Sequence, residues 1–225
     1  MPASKCLFFA LMIATALVAR ADAPASTAAP SMDADLRHLE HAWAHIVYEV
    51  KDSGQQLDQI DALSKEAAGV VQRYPGRAEP LIWDGIITSE EAAIASVFTA
   101  LGYAEDARSL FERAQKIDPK ALNGAVPMSL GTLYYRVPGF PVAFGDNDKA
   151  RNYLEQGLAQ NPDGLDSNYF YGDFLLEQGD YSKAKQVLEH GLLAPANPDR
   201  PVWDNGRRAE IRALLAKATA KLASR

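Results

Sequence analysis

The sequence predicts an all-α fold, a right-handed solenoid of antiparallel helical hairpins, with degenerate helices ahead of the repeats and a capping helix behind them. Three observations carry this. From Asp33 onward apolar residues return at steps of three and four, the spacing of one helical face. No segment alternates polar and apolar residues with the period of two that a half-buried strand needs. A set of small, bulky and proline residues recurs in fixed register, at an offset of 34 residues between its last two copies.

Residues 1–21 read as a signal peptide. Lys5 supplies the positive end, and the run from Cys6 to Val18 is uncharged, mostly apolar and too short for a comfortable bilayer-spanning helix. Ala19-Arg20-Ala21 gives a small-x-small cleavage site and leaves Asp22 as the first mature residue. Ala21-Asp22-Ala23 also fits, with Pro24 unfavourable after the cut, and a retained anchor is the alternative to cleavage. Cleavage removes Cys6, the single cysteine, so the mature chain has no thiol and no disulfide. The expected location is the periplasm, without stable membrane insertion once the leader is gone. Residues 22–32, small and proline-bearing, read as a flexible tail.

Residues 33–88 form the leading helices, either a cap or a worn repeat. Asp33 and Asp35 suit the start of the first, which buries Leu36, Leu39, Trp43 and Ile46 and ends at Ser53-Gly54. The second runs from Gln56 to Tyr74 and is stopped by Pro75-Gly76. A third extends from about Pro80 to Leu101, with Leu81, Trp83, Ile87, Ile94 and Phe98 inward.

Internal similarity dominates residues 89–198. Gly102, Gly145 and Gly179 each open a unit. Five residues later stands Ala107, Ala150 or Ala184; four further, Phe111, Leu154 or Leu188; three further, Ala114, Gly157 or Gly191. Pro119, Pro162 and Pro198 close the units. Upstream lie Leu130-Gly131 with Tyr134, Tyr171-Gly172 with Leu175, and Ile94-Ala95 with Phe98, where a small residue lets paired helices approach. On these residues the chain resembles the tetratricopeptide-repeat family over three units. The first unit departs from the pattern at Ala95, the third has its proline two residues late, and the second carries seven extra residues within 134–146. Residues 199–225 read as a C-terminal capping helix with Trp203, Ile211, Leu214 and Leu222 on its apolar side.

Composition and motifs then narrow the function. With 23 basic against 29 acidic residues the net charge is −6, and there is no basic excess to point to nucleic acid. GxSxG, HExxH and phosphate-cradling glycine loops are absent, and no nucleophile, base and orienter can be nominated together, so the chain reads as non-catalytic and without a cofactor. His38, His41 and His45 share one helix face with Glu49, but that face lies opposite the apolar stripe and reads as solvated rather than metal-binding. Asp146-Asn147-Asp148 lacks the glycine and later oxygens of a calcium loop, and Asp146 reads as a helix cap.

The resemblance implies that the first helix of each unit lines a concave groove. That places Thr132, Tyr135, Arg136, Tyr169 and Asp173 in the groove, together with Met128 and Asp166. The groove is expected to take a protein partner or a small anionic ligand, with Arg136 as anchor and Tyr135 beside it. The lysine and asparagine that the family uses to clamp acidic chaperone tails are missing at Met128 and Thr132. Phe140 and Phe144 lie in the aromatic loop of the second unit, which either folds back on its helices or forms a rim over the groove. A signal peptide, degenerate leading helices and a few such repeats also resemble, more loosely, the T-component of TRAP transporters. That likeness implies an extracytoplasmic partner of a solute-binding protein, although this chain lacks a lipid-attachment cysteine. The reading is therefore an extracytoplasmic binding or scaffold protein, with a periplasmic carrier of small anions as the alternative.

Overall fold

Side-chain caps set the starts of four of the described helices. The computed structural model describes residues 31–224, so the signal peptide and most of the tail lie outside the described residues. Ser31 accepts from the Ala34 amide and starts α1 (Met32–Tyr48) at the end of the segment expected to be tail. Asp52 caps α2 (Ser53–Arg73), so Ser53-Gly54 open the second helix instead of ending the first. Next come α3 (Ala78–Ile94), α4 (Ala100–Ile117) and α5 (Ala125–Arg136). Asp146 accepts from the Asp148 and Lys149 amides at the start of α6 (Asn147–Gln160). Helix α7 (Leu165–Glu177), α8 (Tyr181–Gly191, capped by Asp180) and α9 (Pro201–Ala223) complete the chain.

The repeats are the hairpins α3/α4, α5/α6 and α7/α8. Each closes where a glycine meets a bulky residue. A Cβ at Gly85 would lie 2.6 Å from Phe111 Cε1, at Gly131 2.6 Å from Leu154 Cγ, and at Gly172 2.5 Å from Leu188 Cγ. Gly157 meets Met128 in the same manner across the second hairpin. This corrects the first unit, because Gly85 and not Ala95 holds the small-residue place, and the unit starts with α3, well before residue 89. Helix α3 stops at Ile94, and Val97 and Phe98 stand in the α3–α4 connection, Phe98 being 93% exposed where burial was expected. The long connection hid the pairing, since the small residue lies ten residues further from its alanine than in the third unit.

Helices α1, α3, α5, α7 and α9 form an inner row in which each touches the next. The outer helices α2, α4, α6 and α8 pack on the inner ones and not on one another. The turn per hairpin is tight enough that α9 meets α1 and the solenoid closes on itself. At that seam Tyr48 Oη donates to Glu210 at 3.0 Å, Arg200 pairs with Glu40, and Gly206 leaves room for the Tyr48 ring. Leu39, Trp43, Trp83, Leu165, Trp203, Ile211 and Leu214 form one apolar core behind it. The open concave groove anticipated from the repeat pattern is therefore largely filled by the first and last helices. Hydrophobic burial supplies the drive, at about 25 cal/mol per Å² of apolar surface.

Helix α3 carries carboxylates out of water, Asp84 beside Arg113 of α4, Glu91 accepting from Ser64 of α2, and Glu90 toward the seam. Asp84 is buried, and burial pushes its carboxyl up to about 6 against the opposing pull of Arg113. Glu91, also buried, and Glu90 are raised by burial as well. A carboxyl whose folded pKa exceeds its unfolded value penalises the fold while ionised, and the penalty lifts as pH falls through the folded pKa. The protein is therefore expected to melt higher at pH 5 than at pH 8. Asp84→Asn should raise the pH 8 melting temperature, by the equivalent of about 1–2 kcal/mol, and flatten that pH dependence. Differential scanning calorimetry across pH 4.5–8 checks both.

Candidate binding cleft

The last turn of α5 and the middle of α7 bring most of the expected groove residues together. Tyr135 Oη donates to Asp173 Oδ2 at 2.7 Å, and its ring packs edge-on against Phe174. Arg136 pairs with the same Asp173 and donates to Glu177 at 2.7 Å. Burial, joined by the neighbouring Asp173 charge, raises the Tyr135 phenol well above its ordinary value, so it stays a donor. Thr132 turns back to its own helix and donates to the Met128 carbonyl at 2.9 Å. Met128 itself is buried under Gly157 and lines no groove.

Helix α9 occupies the space next to them. The Arg207 guanidinium lies 4.0 Å over the Tyr169 ring and 4.9 Å from that of Phe170. It donates to Asp166 and to Glu210, both at 2.7 Å. Burial opposes its charge, but Asp166, Tyr48, Glu210 and Tyr169 outweigh that and hold its pKa above the usual guanidinium value. Burial likewise pushes the Tyr169 phenol up to about 12.

One cleft of about 450 Å³ remains between α5, α7 and α9. Arg136, Tyr169, Asp173 and Glu177 form one wall, and Glu210, Leu214 and Lys217 the other. Of the five groove residues read from sequence, Arg136, Tyr169 and Asp173 line this cleft, Tyr135 supports it from behind, and Thr132 lies outside. Glu210 and Lys217, one stripe of α9 at a step of seven, were missed because α9 read as an end cap. Two cations and three carboxylates on an apolar base suit a ligand that carries charge of both signs.

The aromatic loop divides its roles. Phe144 turns inward, its ring 5.7 Å edge-on from Tyr134 and 4.1 Å beneath the Arg108 guanidinium. Phe140 points outward and is 92% exposed. On α1 all three histidines are exposed; His38 pairs with Glu66 and His45 with Glu49.

Models of the tetratricopeptide repeat match residues 92–121 and 142–218, and the chain carries repeats of that class. Among solved structures it is similar to TTC0263, a thermophilic TPR protein of Thermus thermophilus. The identity is 18% over 84% of this chain and 91% of that one, with a TM-score of 0.56, which shows a shared helical solenoid fold. It is also similar to MamA, at 17% identity over 74% of this chain and 91% of that one, with a TM-score of 0.43. No curated protein matches the chain, so the T-component likeness rests on the sequence features alone.

Proposed function

We propose that this chain is a non-catalytic scaffold outside the cytoplasm that binds a protein partner at the α5/α7/α9 cleft. The observation that carries the proposal is the cleft itself: where α1 and α9 fill the rest of the inner face, charged side chains of three helices converge around an open space of about 450 Å³. Tetratricopeptide repeats serve as protein-contact surfaces, and an anchoring side chain or short segment fits this volume. Export is supported by Lys5, the apolar run after it and Ala19-Arg20-Ala21. A transporter's solute-binding protein is the partner class that the T-component likeness suggests.

Tagged full-length protein, cross-linked in envelope fractions and purified, tests this. One partner should be recovered, and Lys217→Glu and Arg136→Ala should each reduce it about tenfold while the protein still melts cooperatively. Equal recovery with both variants would remove the cleft from consideration, and recovery only from the cytoplasmic fraction would remove the export half. The carrier reading is favoured by the paired cations Arg136 and Lys217. An anion would have to displace Glu177 from Arg136, so native mass spectrometry should show a co-purifying small anion that Arg136→Ala and Tyr135→Ala lose.

A further inference from the structure

A second cleft, of about 380 Å³, lies between the α2–α3 turn and α4, away from the inner face. Its charge is unlike the first. Arg77, Arg113 and Lys116 line it together with Tyr74, and no carboxylate does. Arg77 is held by Glu79, whereas Arg113 and Lys116 make no ion pair among the described residues. They stand three apart on α4 and so share a face, with Ile117 next to them. Ile117 is 45% exposed, Val71 half-buried and Pro75 exposed, which gives the cleft a short apolar floor at its surface. The turn does not obstruct it: Gly76 takes φ +78°, and a Cβ there would meet nothing within 4 Å.

On a chain of net charge −6, Arg113 and Lys116 over a small apolar floor are a local reversal of sign: neither is in an ion pair among the described residues, and the one carboxylate whose charge Arg113 feels, Asp84, is buried and lies outside the lining of the cleft. A bare inorganic anion would leave Ile117 and Val71 in water. A long alkyl chain would find too little floor to cover it. An extended peptide crossing from the turn to α4 satisfies both features, since alternating side chains can reach the cations and the floor in turn. We propose that this cleft binds an acidic–apolar segment of a protein partner, with a carboxylate between Arg113 and Lys116 and an apolar side chain on Ile117. The site is independent of the α5/α7/α9 cleft.

Fluorescence anisotropy with the full chain tests it. The probe is a labelled ten-residue peptide of glutamates with two leucines, against a counterpart in which glutamine replaces every glutamate. The acidic peptide should bind, more weakly as salt rises, and the glutamine peptide at least about tenfold less well. R113E/K116E should lose about tenfold or more, and Ile117→Ser a few-fold. Lys217→Glu should bind as wild type does, which separates failure here from failure of the inner cleft. Equal binding of the two peptides, wild-type binding by R113E/K116E, or full displacement by about 10 mM inorganic phosphate with no dependence on the leucines would each overturn the proposal.

Discussion

Gly172→Leu should leave the third repeat unable to pack. A Cβ at Gly172 already falls 2.5 Å from Leu188 Cγ and 2.6 Å from its Cδ2, both within the buried core between α7 and α8. Overpacking typically costs about 1–3 kcal/mol, and more where helices cross at backbone distance and neither side chain can move away. In a stacked array each hairpin is held by its neighbours, so the loss spreads to α9 and the seam. Gly102→Ala is the control. Gly102 sits in α4 with nothing within 4 Å of its Cβ position, and alanine there should raise stability by about 0.5–1 kcal/mol. Urea denaturation of the two variants should therefore move in opposite directions. Similar midpoints would contradict the hairpin pairing.

Arg207→Ala should be nearly as damaging, by a different route. Arg207 is 6% exposed at its side chain and ties Asp166 of α7 to Glu210 of α9, while Tyr48 of α1 reaches the same Glu210. Removing one partner of a buried pair typically costs about 3–5 kcal/mol. Asp166 and Glu210 retain some access to water, so a loss of about 2–3 kcal/mol is expected here. Arg207→Met should recover part of it by keeping contact with Tyr169 and Phe170. Melting curves rank the three proteins, and increased amide exchange in α1 and α9 of Arg207→Ala would locate the damage at the seam.

The hairpins of the second and third repeats were legible in the sequence because Gly131, Leu154, Gly172 and Leu188 stand in one register on helices of clear period. The first repeat was legible only in its second helix. Its partner glycine, Gly85, lies within a run from Leu81 to Ile87 that is buried almost all round, Asp84 included, and such a run has no polar face against which to read an apolar one. Ring closure was not legible. It depends on the small rotation between successive hairpins, summed over the whole array, and on Gly206 admitting Tyr48 from far away in sequence. For the same reason the site was half visible. Arg136, Tyr169 and Asp173 follow from repeat register, whereas Glu210 and Lys217 belong to α9, whose position across the inner face no local pattern encodes.

Closure between α1 and α9 is the claim on which the cleft depends, and a disulfide tests it most directly. Tyr48 Cγ lies 2.5 Å from the position of a Gly206 Cβ, so the two Cβ atoms would stand within about 4 Å, inside the range that a disulfide spans. In a Cys6→Ser background, the pair Tyr48→Cys and Gly206→Cys should oxidise within one chain under mild conditions, at native helicity and with a raised melting temperature. Mass spectrometry of the tryptic digest should find the linked peptides in nearly all molecules. A folded protein that keeps both thiols free under the same oxidant would show that the ends of the array do not meet and that its inner face is open.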